Sequence, residues 1–216
     1  MAAVKSPISQ TLLEQLFPKK LSKSDLKKIQ ILESAVKTYA TLGIGYISYE
    51  DIARTAKTSR PLVQHHFPDK RGLFIMAIKL VRAQFQELAV AAIIKEKDPL
   101  NQLKEYIRST FYWLEQKPHH ARVWLFFFYL CPADPEIKKL HAELTKMGQT
   151  RIAALLEGGY KAGAFSQGDY LLKASNIQRV ITGALVELKT ERERNAIETV
   201  REQVVHLCLQ IARTSV

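Results

Sequence analysis

Ser48-Tyr49-Glu50-Asp51-Ile52-Ala53-Arg54-Thr55-Ala56-Lys57-Thr58-Ser59-Arg60-Pro61-Leu62-Val63-Gln64-His65-His66-Phe67 is the stretch on which the fold turns. Ser48 is a helix N-cap residue, and a short helix over Tyr49 to Ala56 puts Ile52 and Ala53 toward a core. Thr58 or Ser59 caps a second short helix, Arg60 to His66, where Pro61 fits because the first turn has no intrahelical N–H bond to lose. Leu62, Val63 and Phe67 anchor it. Two short helices around a tight turn, with small residues such as Ala53 and Ala56 beneath it, form the geometry that presents one helix to a DNA major groove.

Such a unit needs bracing helices on both sides. Upstream, Ser24 reads as the cap of a helix whose Ile29, Leu32, Val36 and Tyr39 make one buried stripe ending at Gly43-Ile44-Gly45. Downstream, Asp69 caps a long helix to about Lys95, with Phe74, Ile78, Val81, Phe85 and Leu88 at helical spacing. Beyond Asp98-Pro99, helices are expected over Leu100 to Gln116, Pro118 to Leu130, Pro135 to Tyr160, Tyr170 to Lys189 and Arg192 to Ala212. Gly158-Gly159 and Gly163 read as a helix end and turn. The fold class is all-α: an N-terminal three-helix DNA-binding domain with a helix-turn-helix, then a larger helical domain. The expected divisions are a basic arm over 1–23, holding a short helix Leu12 to Phe17 ended by Pro18, a DNA-binding domain over 24–70, and the remainder over 71–216.

The chain has 216 residues, 47% hydrophobic, enough for a sizeable core. Lysine and arginine number 32 against 21 acidic residues, net +11, which suits a polyanionic partner. Residues 1–70 hold 11 basic and 6 acidic side chains, so the first third is the more basic per residue. Lys19, Lys20 and Lys23 interrupt any secretory core, and Val123 to Cys131 is too short to span a bilayer. No membrane partner is expected. Cys131 and Cys208, widely separated, fit two buried thiols in a reduced cytoplasm.

The run Ile31-Leu32-Glu33-Ser34-Ala35 with Tyr39, Gly43, Ser48, Asp51-Ile52-Ala53, Ala56, Ser59, His65, Phe67-Pro68 and Lys70 resembles the N-terminal domain of the TetR family. That resemblance, over about 55 residues, implies a homodimeric, ligand-responsive transcription regulator, most commonly a repressor, acting on palindromic double-stranded operator DNA. It places Arg60, Pro61, Gln64 and His65 toward the groove and Ser48, Tyr49, His66 and Lys70 near phosphates, with Thr58 and Ser59 also on the DNA-binding surface. Gln64 suits adenine, and Arg60 suits guanine or phosphate alike. The chain departs from the family at Lys57-Thr58, where Gly-Val is frequent, and at Gln64-His65-His66, where Tyr-x-Tyr is frequent.

The resemblance further implies an effector pocket and a dimer interface of the last two helices. Aromatics concentrate where a pocket is expected, and Tyr106, Phe111, Trp113, Arg122, Trp124, Phe127 and Phe128 are the candidates. Dimer candidates are Ile177, Ile181, Ala184, Leu185 and Leu188 on one stripe and Val200, Val204 and Leu207 on the other, with a purely intrachain core as the alternative. His119, His120 and His141 lack metal-ligand spacing, and His119 and His120 are expected near an exposed turn. No metal or cofactor is expected, and no HExxH, GxxxxGK[ST] or GxSxG motif supports an enzyme. A basic DNA-binding structural protein and a helical small-molecule-binding enzyme remain the competing classes.

Overall fold

The computed structural model describes residues 16–17, 20–190 and 196–215. The expected helix over Leu12 to Phe17, most of the basic arm and the expected start of the last helix at Arg192 lie outside the described residues. Among the described residues the secondary structure is helical, without strands. In chain order the helices are α1 (Lys23–Leu42), α2 (Tyr49–Thr55), α3 (Arg60–His66), α4 (Lys70–Ile93), α5 (Pro99–Gln116), α6 (Pro118–Leu130), α7 (Pro135–Lys161), α8 (Tyr170–Thr190) and α9 (Ala196–Arg213).

Polar caps set most of these boundaries. Helix α1 is capped two residues before the expected Ser24, because Ser22 and Asp25 form a reciprocal box: the Asp25 N–H donates to Ser22 Oγ at 3.1 Å and the Ser22 N–H donates to Asp25 Oδ2 at 3.0 Å. A cap at Ser24 would put Lys27 at the third helical position, where an ammonium cannot accept that bond. Asp69 caps α4 as expected, its Oδ1 accepting the Gly72 N–H at 2.8 Å, and Asp98 does the same for α5 through Asn101 at 3.1 Å.

The chain divides into two compact units. One comprises the described residues of Thr11–Gln86 together with Lys117–His141, and the other Glu87–Gln116 together with the described part of Ala142–Val216. This differs from the expected boundary at residue 70: α6 belongs with α1 to α3, and α4 and α7 each contribute residues to both units. The reason is a packed α1–α6 contact, which the upstream periodicity did not reveal. It buries Ile31, Ala35 and Ala40 beside the expected Leu32, Val36 and Tyr39, while Ile29 is only half-buried.

In the first unit, α1 packs on α2 and α6, and α2 on α3. Ala53 and Ala56 are buried beneath the turn, and Val63 is sealed from solvent. Tyr39 meets Phe74 edge-to-face with ring centroids 5.2 Å apart. Arg122 of α6 donates to the Ala40 carbonyl at 2.8 Å, and Arg71 of α4 chelates Asp134 at 2.6 and 2.7 Å while also pairing with Glu136 at 2.6 Å. His120, buried rather than exposed, lies 3.6 Å from the Glu33 carboxylate, which also accepts from Gln84; His119 is exposed as expected. The His120 contact, ahead of Gln84, holds the Glu33 carboxyl below its ordinary range.

In the second unit, α8 packs on α9 and both pack on α5. Leu103, Ile107 and Phe111 of α5 are fully buried, and Arg108 bridges to Glu202 at 2.9 and 3.2 Å. Gly158 and Gly159 lie inside α7, not at its end; a Cβ on Gly159 would sit 2.0 Å from the Phe165 ring, so only glycine admits that contact. Lys173 is 1% exposed, its ammonium donating to the carbonyls of Ser166 at 2.8 Å, Ala212 at 3.3 Å and Gln167 at 3.4 Å. Cys208 is buried, which pushes its thiol up to about 12, and Cys131 is half-buried. No helix among the described residues is long and apolar enough to cross a membrane.

Candidate nucleic-acid interface

The candidate surface is α3 and the residues that aim it. Ser59 caps α3 with Oγ 3.4 Å from the Leu62 N–H, Pro61 occupies its first turn, and Val63 anchors its inner side. Arg60, Pro61 and His65 are exposed and Gln64 half-exposed. Helical spacing puts these four on one side, opposite Val63. Thr58 is half-buried in the turn, its N–H donating to the Ala53 carbonyl at 3.0 Å.

The turn holds its shape through an unusual residue. Lys57 has φ +49°, the left-handed region, and is the described non-glycine residue that adopts it. A glycine would meet no Cβ penalty in that conformation, so the lysine here carries a cost. From α1, Gln30 donates to the Ala56 carbonyl at 2.9 Å, and Thr38 Oγ1 lies 3.1 Å from Thr55 Oγ1, so α2 and its exit are fastened to the scaffold. Neither contact was legible in the sequence, because both join positions far apart along the chain.

Four phosphate-side expectations meet different surroundings. Ser48 is committed internally: its Oγ accepts from the Asp51 N–H at 3.2 Å and donates to Asp51 Oδ2 at 2.6 Å, and Asp51 pairs with Arg54 at 2.6 Å. The Ser48 hydroxyl bond, followed by the Ser48 N–H, holds the Asp51 carboxyl below its ordinary value. A carboxylate thus already occupies the positive end of α2. Tyr49 is buried instead of surface-lying, its Oη without a hydrogen-bond partner among the described residues; burial and then the Asp69 charge raise its phenol. His66 is half-buried and lowered by burial, then by His65, Lys28 and Lys27, so it turns toward the basic side of α1. Lys70 remains exposed, its ammonium 6.0 Å from the Tyr49 ring centre.

Tyr46 was overlooked. It is 89% exposed two residues before the Ser48 cap, and its signal was an aromatic placed directly after Gly45 in the turn that leads into α2.

The effector candidates fall in both compact units. Tyr106, Phe111 and Trp113 are buried in the second unit, whereas Arg122, Trp124, Phe127 and Phe128 belong to the first. Arg122 is exposed and donates to the Ala40 carbonyl at the end of α1. Trp124, Phe127 and Phe128 cluster with His141, with ring centroids 5.1 to 5.9 Å apart for Trp124–Phe127, Trp124–Phe128, Phe127–His141 and Phe128–His141, and the Arg82 guanidinium lies over the Trp124 and Phe85 rings.

The dimer candidates divide as well. Ile177, Ile181, Ala184, Leu188 and Val204 are already buried within one chain, Leu185 and Val200 are half-buried, and Leu207 is 48% exposed. Much of the stripe read from periodicity is already covered within one chain, since periodicity finds a buried face without saying which chain buries it. The exposed apolar residues of the same helices are Leu171, Leu172 and Val186 on α8 and Leu207 on α9.

Comparison with known proteins agrees with this architecture. The model of the bacterial regulatory proteins, tetR family, matches residues 31–77. The HTH-type transcriptional regulator BetI of Agrobacterium fabrum is 26% identical over 121 residues, 56% of this chain and 59% of that protein; BetI of Burkholderia cenocepacia is 22% identical over 69% of this chain and 88% of that protein. The chain thus spans about three fifths of the Agrobacterium relative it matches. A TetR transcription regulator from Haloarcula marismortui superposes with TM-score 0.76 at 14% identity, over 86% of this chain and 96% of that one. A transcriptional regulator from Saccharomonospora viridis, crystallised with choline, superposes with TM-score 0.75 at 21% identity, over 83% and 94%. The helix-turn-helix lies inside the residues that match the tetR family model, and the chain shares the fold of these solved transcription regulators.

Proposed function

We propose that the chain is a ligand-responsive transcription regulator, a homodimer that binds a palindromic operator through α3 of each subunit and acts as a repressor released by a small-molecule effector. The observation that carries this reading is the outward row Arg60, Pro61, Gln64 and His65 on a helix capped by Ser59 and anchored by Val63. Gln64 and Arg60 supply the side-chain chemistry for base edges, and Lys70 and Tyr46, both exposed, supply contacts to the sugar-phosphate backbone. Ser48, Tyr49, Thr58 and His66 hold the reading helix in place.

The partner copy docks on the outer faces of α8 and α9, with Leu172, Val186 and Leu207 at the contact; their exposure supports this in place of the buried stripe. The complex of the Saccharomonospora viridis protein with choline supports a small-molecule effector. Helix α4 contributes residues to both compact units, which supports it as the element that carries an effector-induced shift to the reading helix. The chain works by binding rather than by catalysis, in the cytoplasm.

Selection of bound sequences from a random duplex pool tests this reading. A two-fold symmetric site, with half-sites about one helical turn of 10 to 10.5 base pairs apart, is the expected product. Retention of DNA without enrichment of any sequence would replace it with a basic structural protein.

A further inference from the structure

Basic groups from two helices meet at the exit of α3. His65 and His66 close that helix with ring centroids 5.4 Å apart. Lys28 of α1 borders the same groove as His66, a space of about 270 Å³ that the buried Leu32, Phe67 and Leu73 also line. Lys27 donates to Gln30 Oε1 at 3.1 Å, and its charge, like that of Lys28, is felt at His66. Lys23, exposed, lies one turn before Lys27 on the same face of α1.

The other charged groups around this cluster are engaged elsewhere. Asp25 of α1 closes the capping box with Ser22, and Asp69, which borders the same groove, accepts the Gly72 N–H at the start of α4. Lys70 lies over the Tyr49 ring, and Arg71 pairs with Asp134 and Glu136. Burial, then the charges of His65, Lys28 and Lys27, keep the His66 imidazole below the ordinary 6.5. A polyanion laid beside the cluster reverses that balance, because a negative charge within about 4 to 6 Å favours the protonated ring. Duplex DNA brings one phosphate charge per about 1.7 Å of its axis, and His65 belongs to the outward row of α3.

We propose that DNA binding takes up a proton at His66, with His65 as a second and lesser site, so that the chain holds its operator more tightly as pH falls. The proposal rests on α3 meeting DNA as described above. Lysine and arginine keep their charge across the physiological range, so their phosphate contacts do not vary there; an imidazole does. The sign follows from linkage. A ring whose pKa is higher in the complex than in the free protein gives an affinity that is highest and flat below the free value. The affinity falls between the two values and is lowest above the bound one. Each unit of difference is about a ten-fold change in affinity per subunit.

The test follows the histidine ring signals of the intact protein by NMR between about pH 5 and 8, free and bound to the selected operator or to random duplex. Anisotropy at fixed salt gives the affinity over the same range. Calorimetry in two buffers of different ionisation enthalpy gives the protons taken up. The His66 midpoint is expected to rise on DNA, with affinity falling as pH rises and proton uptake at neutral pH. His66→Gln should remove most of that pH dependence and His65→Gln a smaller part. If His66→Gln does not fold, Lys28→Gln should raise the free His66 midpoint and reduce the uptake in its place. Affinity independent of pH, the same His66 midpoint with and without DNA, or an unchanged pH dependence in His66→Gln would overturn the proposal. The two kinds of DNA separate it from the regulator reading. A midpoint raised by random duplex when no site is selected would keep the proton uptake and remove the regulator, and a selected operator with an unmoved midpoint would do the reverse. Binding to neither DNA would remove both.

Discussion

Arg122 of α6 donates from Nη1 to the carbonyl oxygen of Ala40 at 2.8 Å. Ala40 lies in the last turn of α1, where carbonyls have no intrahelical partner, and a guanidinium there satisfies the oxygen and opposes the negative end of the helix. Arg122→Ala should therefore cost about 1 kcal/mol of stability, read as a lower urea midpoint, and leave ligand affinity unchanged. Weaker ligand binding at unchanged stability would return Arg122 to a pocket.

Lys57 offers the reverse change. With φ +49° it carries a left-handed strain that glycine does not, so Lys57→Gly should raise stability by about 0.5 to 1 kcal/mol in urea unfolding, less the extra entropy of glycine in the unfolded chain. A clear loss of stability would mean that the lysine side chain, not the backbone, governs this turn.

Acid should loosen the helix caps of the reading unit. Asp25 and Asp51 each lie below the ordinary value of 3.8 in the folded state, held there by the cap serines Ser22 and Ser48. A depressed carboxyl contributes stability that is fully present above its unfolded value and is lost as pH falls through the folded one. Urea midpoints recorded from about pH 5 downward should fall as pH drops below 3.8, and Asp51→Asn should flatten that fall. An Asp51→Asn profile parallel to the wild type would contradict the capping account.

On DNA, Arg60→Ala and Gln64→Ala should weaken the selected site more than random duplex, since a good base-edge pair discriminates by about 1 to 3 kcal/mol. Lys70→Ala should weaken both alike and reduce the slope of log affinity against log salt by about 0.9. Fluorescence anisotropy across a salt series gives both quantities, and equal losses on the two duplexes for Arg60 and Gln64 would make them phosphate contacts.

The two faces of α8 and α9 make distinguishable predictions. Leu207→Glu or Val186→Glu should split the dimer in sedimentation while the monomer still melts cooperatively, because both side chains are exposed on the single chain. Ala184→Glu or Val204→Glu should lower the melting temperature sharply, because each buries a carboxylate in the intrachain seam. A folded monomer from Val204→Glu would restore the originally expected interface.

Local signals carried the helix-turn-helix. The Ser48 cap, Pro61 in the first turn of α3 and the buried Ala53 and Ala56 are short-range features, and α3 and α6 lie where their caps and prolines put them. What the chain order concealed is long-range. The Arg122–Ala40 contact joins residues 82 apart, and the buried Tyr49 owes its place to packing that a good helix-start position does not reveal. Periodicity along α8 and α9 identified a buried stripe but could not say whether a neighbour helix or a second chain buries it.

The most direct test of the central claim is the dependence of affinity on half-site spacing. Two rigidly held copies of α3 must enter successive major grooves on one face of the duplex. Inserting about five base pairs, half a turn, at the centre of the selected palindrome moves one half-site to the opposite face. The account predicts that affinity falls to that of an isolated half-site and returns in part with about ten inserted base pairs. Affinity that ignores both insertions would contradict paired reading by α3.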